Sequence, residues 1–260
     1  MKKTTKRYII QGLKVALIMV FGILFIAILI KARIQAGETV CNEIQVNVKN
    51  ADEFQFIAEN EIIDFINNYG KDVVINQRLK DISKSEIEAR IEQSEYIEKA
   101  DVFTNFEGKM RVDVTQKTPI YRVFNNNGVS YYVSNKGESI PISSKFTPRL
   151  IVASGNLSKQ LTTDNIKLHE DLLELVAFIN RNSFWEAMIG QIEVANNGDF
   201  LLYSKIDEHV VNLGNTDNLE DKFKFLQVFY KKAIKKVDWK QYEEINLKFK
   251  GQIICKKKIT

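Results

Sequence analysis

Beyond Ile30 this sequence has no second long apolar run, which excludes a protein threaded repeatedly through a membrane. Cysteine is nearly absent. Cys41 and Cys255 fall at opposite ends of the chain beyond the apolar run, so a disulfide framework is excluded. One bridge, if the ends of the fold meet, or two thiols are the alternatives. Histidine is equally scarce, and His169 and His209 have no metal-ligand spacing with Cys, Asp or Glu. Nucleophile-elbow, phosphate-loop, dinucleotide and zinc-protease motifs are missing as well. With no catalytic, cofactor or metal residues legible, the reading is a non-enzymatic protein without a cofactor or small-molecule substrate.

Acidic residues are absent from the first 31 positions, where Lys2, Lys3, Lys6, Arg7, Lys14 and Lys31 stand. Between Val15 and Ile30 lie sixteen residues with no charge or strong polar group. A helix of that length covers roughly 24 Å, short of a hydrocarbon core of ~30 Å. Snorkelling of Lys14 and Lys31 closes the gap. A transmembrane helix is therefore predicted over 15–33, anchored by Val15 to Ile30, behind a cytoplasmic tail of residues 1–14. Five bases before the helix against Lys31 and Arg33 after it orient the N-terminus to the cytoplasm. Residues from about 35 onward are then extracytoplasmic, beyond a single-pass span. A cleaved signal peptide is the competing reading, but Lys31-Ala32-Arg33-Ile34-Gln35-Ala36-Gly37 is a poor cleavage site. Cys41 does not follow the small apolar residues of a lipoprotein site.

The net charge of +4 misleads. Six of the 37 bases and none of the 33 acids lie in residues 1–31, leaving 31 bases against 33 acids, a net of −2. That balance excludes a nucleic-acid binder, and the basic tail instead faces the anionic inner leaflet. Sixteen Phe and nine Tyr supply ample core.

Ile44, Val46 and Val48 alternate with Gln45 and Asn47, predicting a half-buried strand. Ile62, Ile63, Ile66 and Tyr69 share one face of a helix predicted over 59–69 and ended by Gly70. Ser83 and Glu86 read as a capping box opening a second helix with Ile87 and Ile91 inward. Residues 100–106 and 109–114 form a hairpin about Asn105-Phe106-Glu107-Gly108. The order strand, helix, helix, strand, strand leaves at least one sheet edge open, and such an edge is either protected or used to recruit a strand.

Pro119 breaks this pattern, and strands dominate afterwards: 120–124, 129–133, 150–153, a stretch leading out of 185–194, 200–204 and 210–213. Helices are predicted over about 163–180 and 219–237. On the latter Lys222, Lys224, Lys231, Lys232, Lys235 and Lys236 form a solvated face, with docking of an acidic partner as the alternative. Segments 245–249 and 252–255 are two final strands about Gly251, or one strand bulged there. The fold class is α+β: one transmembrane helix, a β-α-α-β-β domain over 41–118, and a mixed β domain with two flanking helices over 119–260.

In this order several segments resemble the bacterial cell-division FtsQ/DivIB family. They are Ser85-Glu86-Ile87-Glu88, residues 95–102, residues 112–123, Tyr132-Val133-Ser134-Asn135-Lys136-Gly137 through Pro141, Phe184-Trp185, Val211-Asn212-Leu213-Gly214 and Ile245-Asn246-Leu247-Lys248-Phe249. The resemblance implies that 41–118 is a POTRA domain linked to recruitment and that the rest is the family's β domain. It implies a divisome scaffold at the division septum, taking part in septation and in regulating septal peptidoglycan synthesis. The implied partners are small bitopic coiled-coil division proteins, FtsB/DivIC-like and FtsL-like, captured by β-strand addition. The matching partner-binding positions are Lys248, Phe249, Lys250, Gly251, Gln252, Ile253 and Ile254. Phe249 is the expected aromatic anchor and Lys248 the expected mate of a partner carboxylate.

Two other classes compete. A POTRA protein of an envelope assembly or translocation system needs a β-barrel of many ~10-residue strands. The residues after 118 hold two strong helices instead. A tethered cell-wall enzyme needs a carboxylate pair, nucleophile or metal set that the sequence does not offer.

Overall fold

The computed structural model describes residues 16–28, 30–31, 39–158, 165–206, 208–233 and 241–258. Residues 16–28 form helix α1, whose apolar side chains are exposed all round. No helix among the described residues is long and apolar enough to cross a membrane. Of the span expected over 15–33, α1 and residues 30–31 are helical; Val15 and residues 29, 32 and 33 lie outside the described residues, as does the tail 1–14.

The chain forms two compact units. One joins the described residues up to Lys49 with Ile57–Thr115; the other joins Asn50–Phe56 with the chain from Gln116 onward. The first unit runs β1 (Glu43–Lys49), α2 (Glu59–Ile66), α3 (Lys84–Glu92), β2 (Ile97–Thr104) and β3 (Lys109–Gln116). Its sheet has the order β1-β3-β2, with β1 parallel to β3 and Val46 opposite Val112. Ile62 and Ile66 of α2 and Ile87 and Ile91 of α3 close over Met110, Val112 and Val114. The predicted strand-helix-helix-strand-strand order is therefore observed.

Its details differ from the helical periodicity. α2 stops at Ile66 because Asn68 and Tyr69 adopt φ of 48° and 53°, ahead of Gly70 at 82°. Asn67 Oδ1 accepts from the Val74 N–H at 3.1 Å, which ties the chain leaving the helix back to its end. Tyr69 is consequently exposed, and Ile63, one position on from buried Ile62 within the helix, faces away from the core as well. Ser83 precedes α3, but its side chain makes no capping bond. The reach-back glutamate occurs at α2 instead, where Glu61 Oε2 accepts from the Ala58 N–H at 2.9 Å.

The second unit runs β4 (Pro119–Asn125), β5 (Ser130–Ser134), β6 (Ser139–Ile140), β7 (Ile151–Gly155), α4 (Ile166–Asn180), α5 (Ser183–Met188), β8 (Ile189–Val194), β9 (Phe200–Ser204), β10 (Val210–Gly214), α6 (Leu219–Ala233), β11 (Tyr242–Asn246) and β12 (Ile254–Lys257). These strands make one sheet in the order β12-β11-β10-β9-β8-β7-β4-β5-β6. Parallel neighbours cannot be joined by a tight turn and need a crossover. β7 reaches parallel β8 through α4 and α5, and β10 reaches parallel β11 through α6. Both crossovers step the same way along the sheet, so the right-handed rule puts their helices on one face. In keeping with this, Leu172, Leu175, Val176 and Ile179 of α4 share one core with Phe223, Leu226 and Tyr230 of α6. The stretch read as leading from Trp185 into strand begins with α5, capped by Asn182 Oδ1 accepting from the Phe184 and Trp185 N–H groups.

Asn50–Phe56 is held within this unit by Gln116, which is fully buried. Gln116 Nε2 donates to the Phe54 carbonyl at 2.8 Å, and its Oε1 accepts from the Phe56 N–H at 3.2 Å. The side-chain amide thus substitutes for a neighbouring peptide. Phe54 and Phe56 pack on Phe146, with centroids 6.4 and 5.6 Å away. Gln116→Ala is expected to cost about 1–3 kcal/mol, because it orphans a buried donor and acceptor. An unchanged midpoint in thermal denaturation of the variant would show that this pairing adds nothing.

Candidate functional site

β12 is the terminal strand of the nine-stranded order, paired antiparallel with β11, Ile245 opposite Cys255 and Asn246 opposite Ile254. Between them the chain reverses over residues 247–253. Asn246 Oδ1 accepts from the Lys248 N–H at 3.0 Å, the Gln252 N–H donates to the Phe249 carbonyl at 3.2 Å, and Gly251 takes φ of 73°. That left-handed residue lets the chain turn back, and it resolves the two sequence alternatives in favour of two strands.

The expected partner-binding stretch is thereby divided. Lys248, Phe249, Lys250, Gly251 and Gln252 are exposed in the turn, Ile253 is half-buried beside it, and Ile254 alone opens the edge strand. Cys255, Lys256 and Lys257 complete that edge. The lysines are exposed, and Lys256 Nζ lies 3.1 Å from Glu243. Lys258 Nζ, just past the strand, lies 2.8 Å from Glu208. Both cysteines carry free thiols; burial pushes the pKa of each up.

Beside the turn opens a groove of about 330 Å³ between residues 247–252 and the start of α6. Phe249 is 54% exposed and Phe225 45%, so two aromatic rings line the groove while facing water. Leu247, Asp217, Asp221 and Lys250 complete its walls. Phe225 had a sequence signal: it breaks the buried stripe of Leu219, Phe223 and Leu226 by standing on the lysine face of α6.

Two lysines give the groove its shape. Lys222, expected on the solvated face, is half-buried, and its Nζ donates to the Leu213 and Asn215 carbonyls at 3.0 and 2.9 Å and to Asn215 Oδ1 at 3.0 Å. Burial pushes its pKa down. Lys248 Nζ lies 2.6 Å from Asp199 Oδ2. Burial opposes ionisation of Asp199, but hydrogen bonds from Lys248 and Asn197 hold its carboxyl below the ordinary value. A depressed carboxylate stabilises the fold above its unfolded pKa, so this brace weakens as pH falls through the folded one. Lys248 is thus already engaged within its own chain. Lys235 and Lys236 lie outside the described residues.

His209 is buried with its Nε2 2.8 Å from Tyr230 Oη, and His169 is half-buried on α4. Among the described residues no group of three or more His, Cys, Asp or Glu side chains is gathered as a metal would need.

Among curated proteins no sequence matches this chain. A model of POTRA-like domains matches residues 39–115, the first unit's strands and helices. A model described as FtsQ/DivIB, C-terminal related, matches residues 118–256, from β4 into β12. Because that match covers more than half of the 260 residues, this protein belongs to the FtsQ/DivIB family.

Proposed function

We propose that this chain is a non-enzymatic scaffold of the division machinery that captures small single-pass coiled-coil division proteins outside the cytoplasm. The partner adds an extended strand to β12, gaining main-chain hydrogen bonds, while its side chains sample the groove. One observation carries the reading: β12 ends the sheet order, and an exposed aromatic pair, Phe249 and Phe225, adjoins it. Lys256, Lys257 and Lys258 blunt the edge against self-pairing and suit a partner strand bearing acids. Residues 15–33 tether the protein with its N-terminus in the cytoplasm. The exposure of apolar side chains all round α1 supports this, since a helix with no polar face is one that lipid or protein covers. Through its captured partners the scaffold recruits and regulates septal peptidoglycan synthesis at the division site.

The test is retention of the division partners by the full chain. Phe249→Glu places a charge on the exposed ring position and is expected to abolish co-purification while the fold persists. Normal retention by a folded Phe249→Glu protein would refute the edge-and-groove account. Uniform membrane fluorescence of an N-terminal fusion, with normal division after depletion, would refute the division role itself.

A further inference from the structure

β2 ends the three-stranded sheet of the first unit, yet its edge is not bare. Glu88 Oε1 accepts from the Val102 N–H at 2.7 Å, and Glu92 Oε1 accepts from the Ala100 N–H at 3.0 Å. Alternate N–H groups of an edge strand point away from the sheet, and Ala100 and Val102 are consecutive members of that outward row. The spacing is matched: four residues of helix rise about 6 Å, and two residues of strand about 6.6–6.8 Å. Glutamates at i and i+4 therefore meet strand donors at j and j+2. Ile87 and Ile91, one position before each glutamate, are buried and fix α3 against the sheet. Each carboxylate bond is charge-assisted, hence stronger than the peptide bond an added strand offers.

We propose that Glu88 and Glu92 are specificity-determining residues that seal β2 against strand addition. This rests on the strand-addition reading above, in which pairing is directed to β12. The strand they exclude first is the β2 edge of a second copy of this chain. β2 is eight residues long and contains no proline, with Phe103 49% exposed near its end. Its charges, Glu98, Lys99 and Asp101, are of both signs, and Lys99 already pairs with Asp101 at 2.6 Å, so they protect this edge less than a one-signed row of lysines and leave symmetric antiparallel pairing open. The same seal denies β2 to an extended client peptide, which is what an assembly-type POTRA role there requires.

The test compares the full chain in detergent with Glu88→Ala/Glu92→Ala and Glu88→Gln/Glu92→Gln. Sedimentation reads oligomeric state, and hydrogen exchange reads the Ala100 and Val102 amides. Wild type and the glutamine variant, whose amide oxygens still accept, are expected to stay in one state with both amides protected. The alanine variant is expected to exchange at least about tenfold faster at those amides when dilute. On concentration it is expected to dimerise and recover protection. An alanine variant with unchanged protection, or one that exchanges fast yet never dimerises, overturns the proposal. If the double variant fails to fold, Glu88→Ala and Glu92→Ala are read singly by exchange, and unchanged protection in both overturns it. Self-association through β2 is independent of Phe249, so loss of partner retention in Phe249→Glu and dimerisation here succeed or fail separately.

Discussion

Gly155→Ala is expected to yield insoluble protein or to destabilise the second unit by more than about 4 kcal/mol. Gly155 closes β7 in the middle of the nine-stranded sheet, between Asn125 of β4 and Val194 of β8. Its φ is +94°, and a Cβ built there would stand 2.2 Å from the Val194 carbonyl oxygen and 3.0 Å from its carbon. Those are backbone atoms of a paired strand, so no rotamer change relieves the clash. The neighbouring Asn156 N–H donates to the same carbonyl at 3.0 Å, so displacing β8 breaks that bond too. Gly198→Ala is the matched control. Gly198 has φ of +84° but nothing within 4 Å of its added Cβ, so strain alone remains, about 1 kcal/mol. Soluble expression and thermal melts of the two variants decide the matter; equal melting points would show that the close approach to Val194 carries no weight.

Phe223→Ala is expected to cost about 3–5 kcal/mol. Phe223 of α6 is nearly fully buried, with the Phe178 ring of α4 4.9 Å away and the Trp185 ring of α5 5.0 Å away, the latter edge-on. Its ring thus joins the three helices that cover the sheet. Truncation removes the ring's transfer energy, leaves a cavity that three separately anchored helices cannot collapse, and loses two aromatic contacts worth about 0.5–1.5 kcal/mol each. Against a total stability of about 5–15 kcal/mol this is a large share. A melting point lower by roughly 6–20 °C is expected for a unit of this size. A drop within a degree or two would mean that α6 repacks without its central ring. Since α6 also forms one wall of the groove, loss of partner retention in this variant reports the fold, and Phe249→Glu remains the cleaner probe of binding.

Much of this architecture was legible in the sequence, because local periodicity and turn chemistry are local. Val46 and Val48, Met110 and Val112, and Leu172 with Val176 stand where two-residue and helical periods put them. Asn105-Phe106-Glu107-Gly108 turns because Asn105 Oδ1 accepts from the Glu107 and Lys109 N–H groups and Gly108 takes φ of 86°. Trp185 was missed as helical because six residues are too few for a helical period to show. Tyr69 was misplaced because its apolar spacing continues a helix that the backbone of Asn68 has already left.

The candidate site was legible as a stretch of chain but not as a shape. The order of elements and the family resemblance were determined by the sequence itself, since both depend on neighbours along the chain. Which strand ends each sheet was decided only by the tertiary structure. Edge status is set by crossovers through α4, α5 and α6 and by a reversal at Gly251, and none of these leaves a periodic trace. The fate of the charged side chains was decided the same way. Lys222 reads as one more solvated lysine until the Leu213 and Asn215 carbonyls converge on it. Glu88 and Glu92 have no legible role until β2 lies alongside with two amides at matching height. A sequence states which groups can donate and accept; only long-range pairing determines which of them meet.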